Sequence, residues 1–268
     1  MNIEQAIVDV DTSPGVVAGH LCGCQVRPDE FGSFAAPFAD GFDVLPRSEW
    51  QEGKPEASFA NSNVWRIKNQ GREGTCTSNA TTQAMEIVAN QQFGGDNWVE
   101  LSPISIYKAC GRSASSGSSV SCNIRRATDV GALPVGNDDN WSRMQDGWNL
   151  NSSHTMPPRG FHTPYPEGFR DTAKHFRIDE TSDIESFDEF ATALQRGWPV
   201  VYGRAGHAIC GVLLVRHRGQ WAVRYANSWG NWGDSGYGYD TEGYISRAIR
   251  QYGAIAVRSV VIPGFLAG

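Results

Sequence analysis

Residues 225–239 read YANSWGNWGDSGYGY, with the β-rich run WAVRYA leading in and GYGYD leading out. The plainest reading is a glycine-rich turn between two strands. Asn227 adds to it. Its side-chain oxygen, at the end of the first strand, can accept the second N–H of an imidazole and fix that ring's tautomer and aim, while Trp229 shields the bond from water. Such a bond needs a histidine, and the chain has six, at 20, 154, 162, 175, 207 and 217. His207 stands apart, because it opens the strand-like run HAICGVLLV directly after Gly206, so its ring projects from a strand edge. The others lie in loops or polar contexts. A histidine that begins a strand is commonly structural, so His207 gains meaning only beside a group for it to act on.

That group is read from residues 68–80, KNQGREGTCTSNA. Cys76 follows the pair Gly74-Thr75 where a helical pattern begins. A buried cysteine is ordinarily a small apolar filler. A thiol attacks only as thiolate, however, and needs help to ionise near neutral pH. Backbone N–H groups and the dipole at a helix N-terminus supply part of that help, and an imidazole supplies the rest. Gln70, six residues earlier, is on its own an ordinary exposed loop residue.

Size and composition are permissive. At 268 residues, 40% hydrophobic and 11% aromatic, the chain buries a core without stapling. A net charge of −6 and no block of lysines and arginines argue against nucleic acid as a partner. No apolar run reaches the roughly 18–20 residues that span a bilayer, and the start MNIEQAIVDVDTS reads as too acidic for a signal peptide. Localisation is left open between the cytoplasm and a virion. Six cysteines are scattered; Cys110 and Cys122 bracket the loop GRSASSGSSVS, which they close if oxidised, and Cys210 reads as filler in an apolar strand. His20, Cys22 and Cys24 in GHLCGC lack the second ligand pair of a structural zinc site, so no metal is expected.

Along the chain, residues 1–44 show no sustained period and read as an extension. From Cys76 to about Gln92 the positions Ala80, Ala84, Ile87 and Val88 follow a 3.6-residue period, with Gly94-Gly95 as a stop. LSPISIYKACG gives a second helix with Ser102 as N-cap, Pro103 at the first position and Gly111 as terminator. SCNIRRATDVG gives a third, ending at Gly131. Residues 134–170 read as irregular connections. SFDEFATALQRG carries a capping box, Ser186 with Glu189, and exits at Gly197. PVVYG, HAICGVLLV, WAVRYANSW, GYGYD and AIAVRSVVI then read as strands. Helices first and strands after predict an α+β plan of two lobes.

Together the three stretches resemble the papain family of cysteine peptidases, with motifs Gln-Gly-x-Cys-Gly-Ser-Cys-Trp, a Gly-His-Ala strand, and Asn-Ser-Trp-Gly followed by Trp-Gly and Gly-Tyr. In that family the histidine and asparagine follow the cysteine by roughly 130–150 residues; here they follow Cys76 by 131 and 151. LPRSEW, Glu86, LSPISIYK and VGALP extend the match over about 45 to 262. The resemblance implies a two-lobed fold, a helical lobe over about 64–145 and a β-barrel-like lobe over about 146–262, with the active site in the cleft between. It implies Cys76 as nucleophile, His207 as general base and acid, Asn227 as orienting group and Gln70 as oxyanion donor, with Gly74, Thr75, Thr77, Gly206 and Trp229 lining the substrate cleft. The implied activity is peptide-bond hydrolysis through an acyl-enzyme on protein or peptide substrates, without cofactor or metal.

Two positions depart from the pattern. Glu73 stands where the family has a disulfide cysteine, so the loop must be held by packing and hydrogen bonds. Thr77 replaces a tryptophan after the nucleophile and alters one wall of the cleft. Such departures resemble bacterial and phage members. They keep two alternatives open: a cell-wall peptidase, amidase or acyl transferase using the same triad, and a structural or virion-associated protein on a papain-like fold. Residues 1–44 are expected to be a short propeptide or a docking arm contacting a larger assembly, with 45–268 forming the peptidase domain.

Overall fold

The computed structural model describes residues 16–17, 20–21, 23–26, 35–53, 64, 66–93, 99–136 and 154–262. The first residues read for a signal peptide, Cys22, Gly94-Gly95 and the expected lobe boundary near 145 lie outside them. The described α-helices are α1 (Cys76–Phe93), α2 (Pro103–Cys110), α3 (Val120–Asp129), α4 (Phe169–Ala173), α5 (Phe187–Gln195) and α6 (Glu242–Tyr252). The strands are β1 (Val16–Val17), β2 (His20–Leu21), β3 (Ala36–Pro37), β4 (Arg177–Asp183), β5 (Val200–Arg204), β6 (His207–His217), β7 (Gln220–Ala226), β8 (Tyr237–Thr241) and β9 (Ala254–Val261).

β1 and β2 form a small pair, and the other seven strands form one sheet in the order β3-β4-β9-β5-β6-β7-β8. All neighbours in it are antiparallel except β3 with β4. The hairpin from β5 to β6 turns on Ala205-Gly206, with Arg204 opposite His207 and Gly206 at φ +70°. The next hairpin turns on Arg218-Gly219, both at positive φ, the backbone that matches the right-handed twist of the flanking strands.

One core lies between α1, α2, α3 and one side of the sheet, with Met85, Ile87, Val88, Ile124, Val201, Cys210, Val212 and Val257 buried together. A second lies between α5, α6 and the sheet, around Phe190, Tyr202, Ile209, Val223, Ile245 and Ala256. Each fully buried Leu, Ile, Val, Met or Phe side chain contributes about 1.5–3 kcal/mol. The helices therefore pack on the sheet itself as well as on one another.

α1 is buried on nearly every side rather than along one stripe. Two of its buried hydroxyls bond back to the preceding turn of the helix. Thr81 Oγ1 donates to Thr77 O at 2.8 Å and Thr82 Oγ1 to Ser78 O at 3.0 Å. Glu86, deeper in α1, accepts from Lys68 Nζ at 2.7 Å and from the Leu101 backbone N–H at 2.6 Å.

α2 starts at Pro103 after Ser102, whose hydroxyl donates to Pro157 O at 2.6 Å instead of capping the helix. Ser119 caps α3 through the Cys122 N–H at 3.2 Å. At α5 Ser186 accepts the Glu189 N–H at 3.1 Å, while the Glu189 carboxylate reaches the Glu185 N–H at 2.7 Å, one residue short of a capping box. Cys110 and Cys122 are joined in a disulfide between α2 and α3. Cys24, Cys76 and Cys210 are free and buried.

Two elements were missed in the stretch read as irregular or passed over: α4 and β4. β4 reads RIDETSD, with few β-branched or aromatic residues, and forms because β9 and β3 pair on either side of it.

Candidate active site

Cys76 is the first residue of α1 and is 0% exposed. The backbone N–H groups of Gly23, Ala208, Thr77 and Cys76 itself face its sulfur. Two of these belong to the helix start. Ala208 belongs to the start of β6, so the sheet brings the residue after His207 against the thiol. Burial pushes the thiol up from the ordinary cysteine range, and those four N–H groups pull against it.

His207, 1% exposed, places Nε2 at 2.8 Å from Asn227 Oδ1. An amide oxygen only accepts, so Nε2 carries the proton of this bond. Asn227 Oδ1 also accepts the Ser228 backbone N–H at 2.8 Å, which fixes the amide. Trp229 stacks on the imidazole at 4.5 Å between centroids, and Trp232 meets Trp229 edge-on at 5.3 Å. The Gly/Trp-rich stretch is thus a turn between β7 and β8 that also builds the wall around His207.

Gln70 is fixed at both ends of its amide. Oε1 accepts from Ser228 Oγ at 2.6 Å, and Nε2 donates to Glu73 O at 2.7 Å. Its backbone N–H donates to Ser228 O at 2.8 Å. Ser228 therefore ties the Asn227 turn to the Gln70 turn, a link that sequence reasoning missed although the residue stands beside Asn227.

Thr75 and Thr77 are 0% exposed. Thr75 accepts the Asn79 side-chain amide through O at 2.8 Å and Oγ1 at 3.0 Å. Thr77 Oγ1 meets Ser118 Oγ at 2.6 Å and accepts from Asn123 Nδ2 at 3.1 Å. The hydroxyl at position 77 thus fastens α1 to the loop after α2. Glu73 makes three charge-assisted contacts to backbone N–H groups. Its carboxylate accepts the Gly160 N–H at 3.2 and 3.1 Å and the Phe161 N–H at 2.9 Å.

Part of the chain itself covers Cys76. The Cys24 N–H donates to Gly206 O at 2.9 Å, the Gln25 N–H to Ser118 O at 3.0 Å, and the Ser118 N–H to Gly23 O at 2.7 Å. Cys24 pairs with Ser118 in the parallel sense. Residues 23–25 therefore bridge from the loop after α2 to the β5–β6 turn. A Cβ on Gly23 would lie 2.6 Å from Gly117 Cα and 2.8 Å from Gly74 O, so only glycine fits there. Of the ligands in GHLCGC, Cys24 is buried against Gly203, and among the described residues no group of three His, Cys, Asp or Glu side chains is placed to hold a metal ion.

No protein-family model and no curated protein matches the chain. Solved structures do. Digestive procathepsin L 3 from the larval midgut of Tenebrio molitor superimposes with a TM-score of 0.61 at 16% identity, covering 98% of this chain and 80% of that one. Procathepsin B S9 of Trypanosoma congolense gives 0.60 at 14%, covering 91% and 87%. Xylellain, a cysteine protease of Xylella fastidiosa, gives 0.55 at 19%, covering 82% and 95%. The chain has the papain-like α+β fold. Among the described residues no helix is long and apolar enough to cross a membrane.

Proposed function

We propose that the chain is a papain-like cysteine peptidase, with Cys76 as nucleophile, His207 as general base and acid, Asn227 as the group that orients it and Gln70 as oxyanion donor. The observation that carries this reading is the 2.8 Å bond from His207 Nε2 to Asn227 Oδ1, with Ala208 N–H facing Cys76 at the head of α1. With Nε2 committed to Asn227, Nδ1 is the nitrogen that takes the thiol proton. The thiolate attacks the peptide carbonyl. The oxyanion that forms is met by the Gln70 amide and the Cys76 backbone N–H, and the imidazolium returns its proton to the leaving amine. Water, deprotonated by His207, then cleaves the thioester and restores the thiol.

The backbone groups now bonded by residues 23–25, Ser118 N–H and C=O on one side and Gly206 C=O on the other, support a substrate peptide running along the same line. The extension is read as a covering segment of this same chain. With Gly23 over the sulfur and Cys76 wholly buried, this form is a resting one, and a substrate enters as residues 23–26 leave.

Treatment with an epoxysuccinyl thiol inhibitor, with the adduct mapped by mass spectrometry, tests the assignment. Label on Cys76 and cleavage of casein support it. Reaction at other thiols but not Cys76, in protein whose N-terminal segment has been displaced, points to a structural protein on this fold. Release of fragments from purified peptidoglycan without casein cleavage points to a cell-wall peptidase or amidase.

A further inference from the structure

Between Gln70 and Cys76 the chain turns sharply, and Glu73 sits in the middle of that turn. An acid three residues from a sulfur that must carry negative charge is electrostatically adverse. Its position therefore calls for a compensating role. Among the described residues Glu73 has no cationic partner in an ion pair. Its carboxylate is spent instead on the backbone, on the Gly160 and Phe161 N–H groups at 2.9–3.2 Å. Those donors belong to a well-anchored loop. Lys108 Nζ donates to Phe161 O at 2.9 Å, and the Phe161 ring meets Tyr107 of α2 edge-on at 5.8 Å. Beside them, the Arg159 side chain packs at 3.3 Å from where a Cβ of Gly71 would stand, and Gly71 needs its φ of +61°.

The same residue meets Gln70 through its main chain. Glu73 O accepts Gln70 Nε2 at 2.7 Å, and Glu73 N–H donates back to Gln70 O at 3.4 Å. A carboxylate holding the turn from outside and a carbonyl holding the Gln70 amide from inside make one continuous connection between the 159–161 loop and the oxyanion donor. Charge-assisted bonds to backbone N–H groups are about twice as strong as neutral ones, which suits a clamp made by one side chain.

We propose that Glu73 is a positioning residue: by clamping the turn to residues 160 and 161 it sets the direction of the Gln70 amide, and so acts on turnover without touching substrate. This rests on the peptidase reading above. The test is a double-mutant cycle on the full chain, reading kcat and KM on a peptide substrate. Glu73→Ala is expected to lower kcat about tenfold with KM within about twofold, against about a hundredfold for Gln70→Ala. Glu73→Gln keeps one acceptor oxygen and falls between wild type and Glu73→Ala. In the double variant the two losses do not multiply, because Glu73 acts through Gln70.

Losses that multiply, or a Glu73→Ala enzyme with wild-type kcat, overturn the proposal while leaving the peptidase reading intact. A wild-type chain that labels at no active thiol and cleaves nothing overturns both. If Glu73→Ala does not fold, the same cycle is run with Glu73→Gln and judged by the same criterion. Amide hydrogen exchange at Gly160 and Phe161, faster in the Glu73 variants, reports loss of the clamp independently of activity.

Discussion

Asn227 Oδ1 stands 2.8 Å from His207 Nε2 and 2.8 Å from the Ser228 N–H, so one oxygen holds the imidazole while the backbone holds the oxygen. Asn227→Ala frees the ring about its χ angles but leaves Trp229 stacked on it. Turnover is expected to fall by about tenfold to a hundredfold, against a loss of at least about a thousandfold for His207→Ala. Steady-state kinetics on a peptide substrate checks the order. Wild-type kcat in the Asn227 variant would mean that the orienting role is misassigned.

Cys76→Ala removes one sulfur from a fully buried site at a helix start. Peptide cleavage is expected to vanish. Stability changes by about 1 kcal/mol, the scale of a small buried group with its residual cavity. Urea denaturation beside the activity assay separates the two effects, and a variant that still cleaves peptides removes Cys76 from the mechanism.

Gly23 touches Gly117 and Gly74 O so closely that a larger residue cannot stay. Gly23→Val is therefore expected to expel residues 23–26 from over Cys76 while leaving the sheet untouched. Alkylation of Cys76 by iodoacetamide should then accelerate about tenfold or more, as a shielded thiol becomes accessible. An unchanged rate would show that the segment does not limit access to the sulfur.

Glu86 supplies a pH signature. Burial, only partly offset by Lys68, pushes its carboxyl up from 4.5 to about 7. The folded state thus holds this proton more tightly than the unfolded chain. The stability Glu86 contributes is full below pH 4.5 and is lost as pH rises to about 7. Relative to Glu86→Gln, wild-type Tm should drop across that interval in calorimetry; a constant Tm difference contradicts the shift.

The Cys110–Cys122 disulfide, with a sequence separation of 12, closes the loop that carries Gly117 and Ser118. In the chain-entropy account a loop of this length stabilises by about 3 kcal/mol. Urea denaturation of the Cys110→Ala/Cys122→Ala variant should show a loss of that order, with a lower Tm. No loss would mean that the hydrogen bonds from Tyr107 Oη to Ser113 O and from Asn123 Nδ2 to Ser118 Oγ hold the loop without it.

Much of this was legible before any coordinates. Pro103 and Gly111 bound α2 as their chemistry demands, the β-rich runs from residue 199 onward all became strands, and the bond expected between Asn227 and His207 is present. β4 was not legible, because RIDETSD has no strand period of its own and owes its form to partners far away in sequence. Nor was the breadth of α1 burial, since Thr81 and Thr82 look exposed until their hydroxyls are seen to bond the preceding turn. The roles of Ser228 and Ser118 were hidden for a similar reason. A serine in a loop announces nothing until another segment is brought to it.

The segment 23–25 that covers Cys76 is covalently part of the same molecule, joined to Cys76 through some fifty residues of chain. A tethered occupant acts at a local concentration on the order of millimolar, however dilute the protein. On the peptidase reading, a peptide that binds over Cys76 therefore competes against an occupant that dilution cannot remove. Cutting the chain between this segment and Cys76 converts that fixed handicap into an ordinary, dilutable competitor.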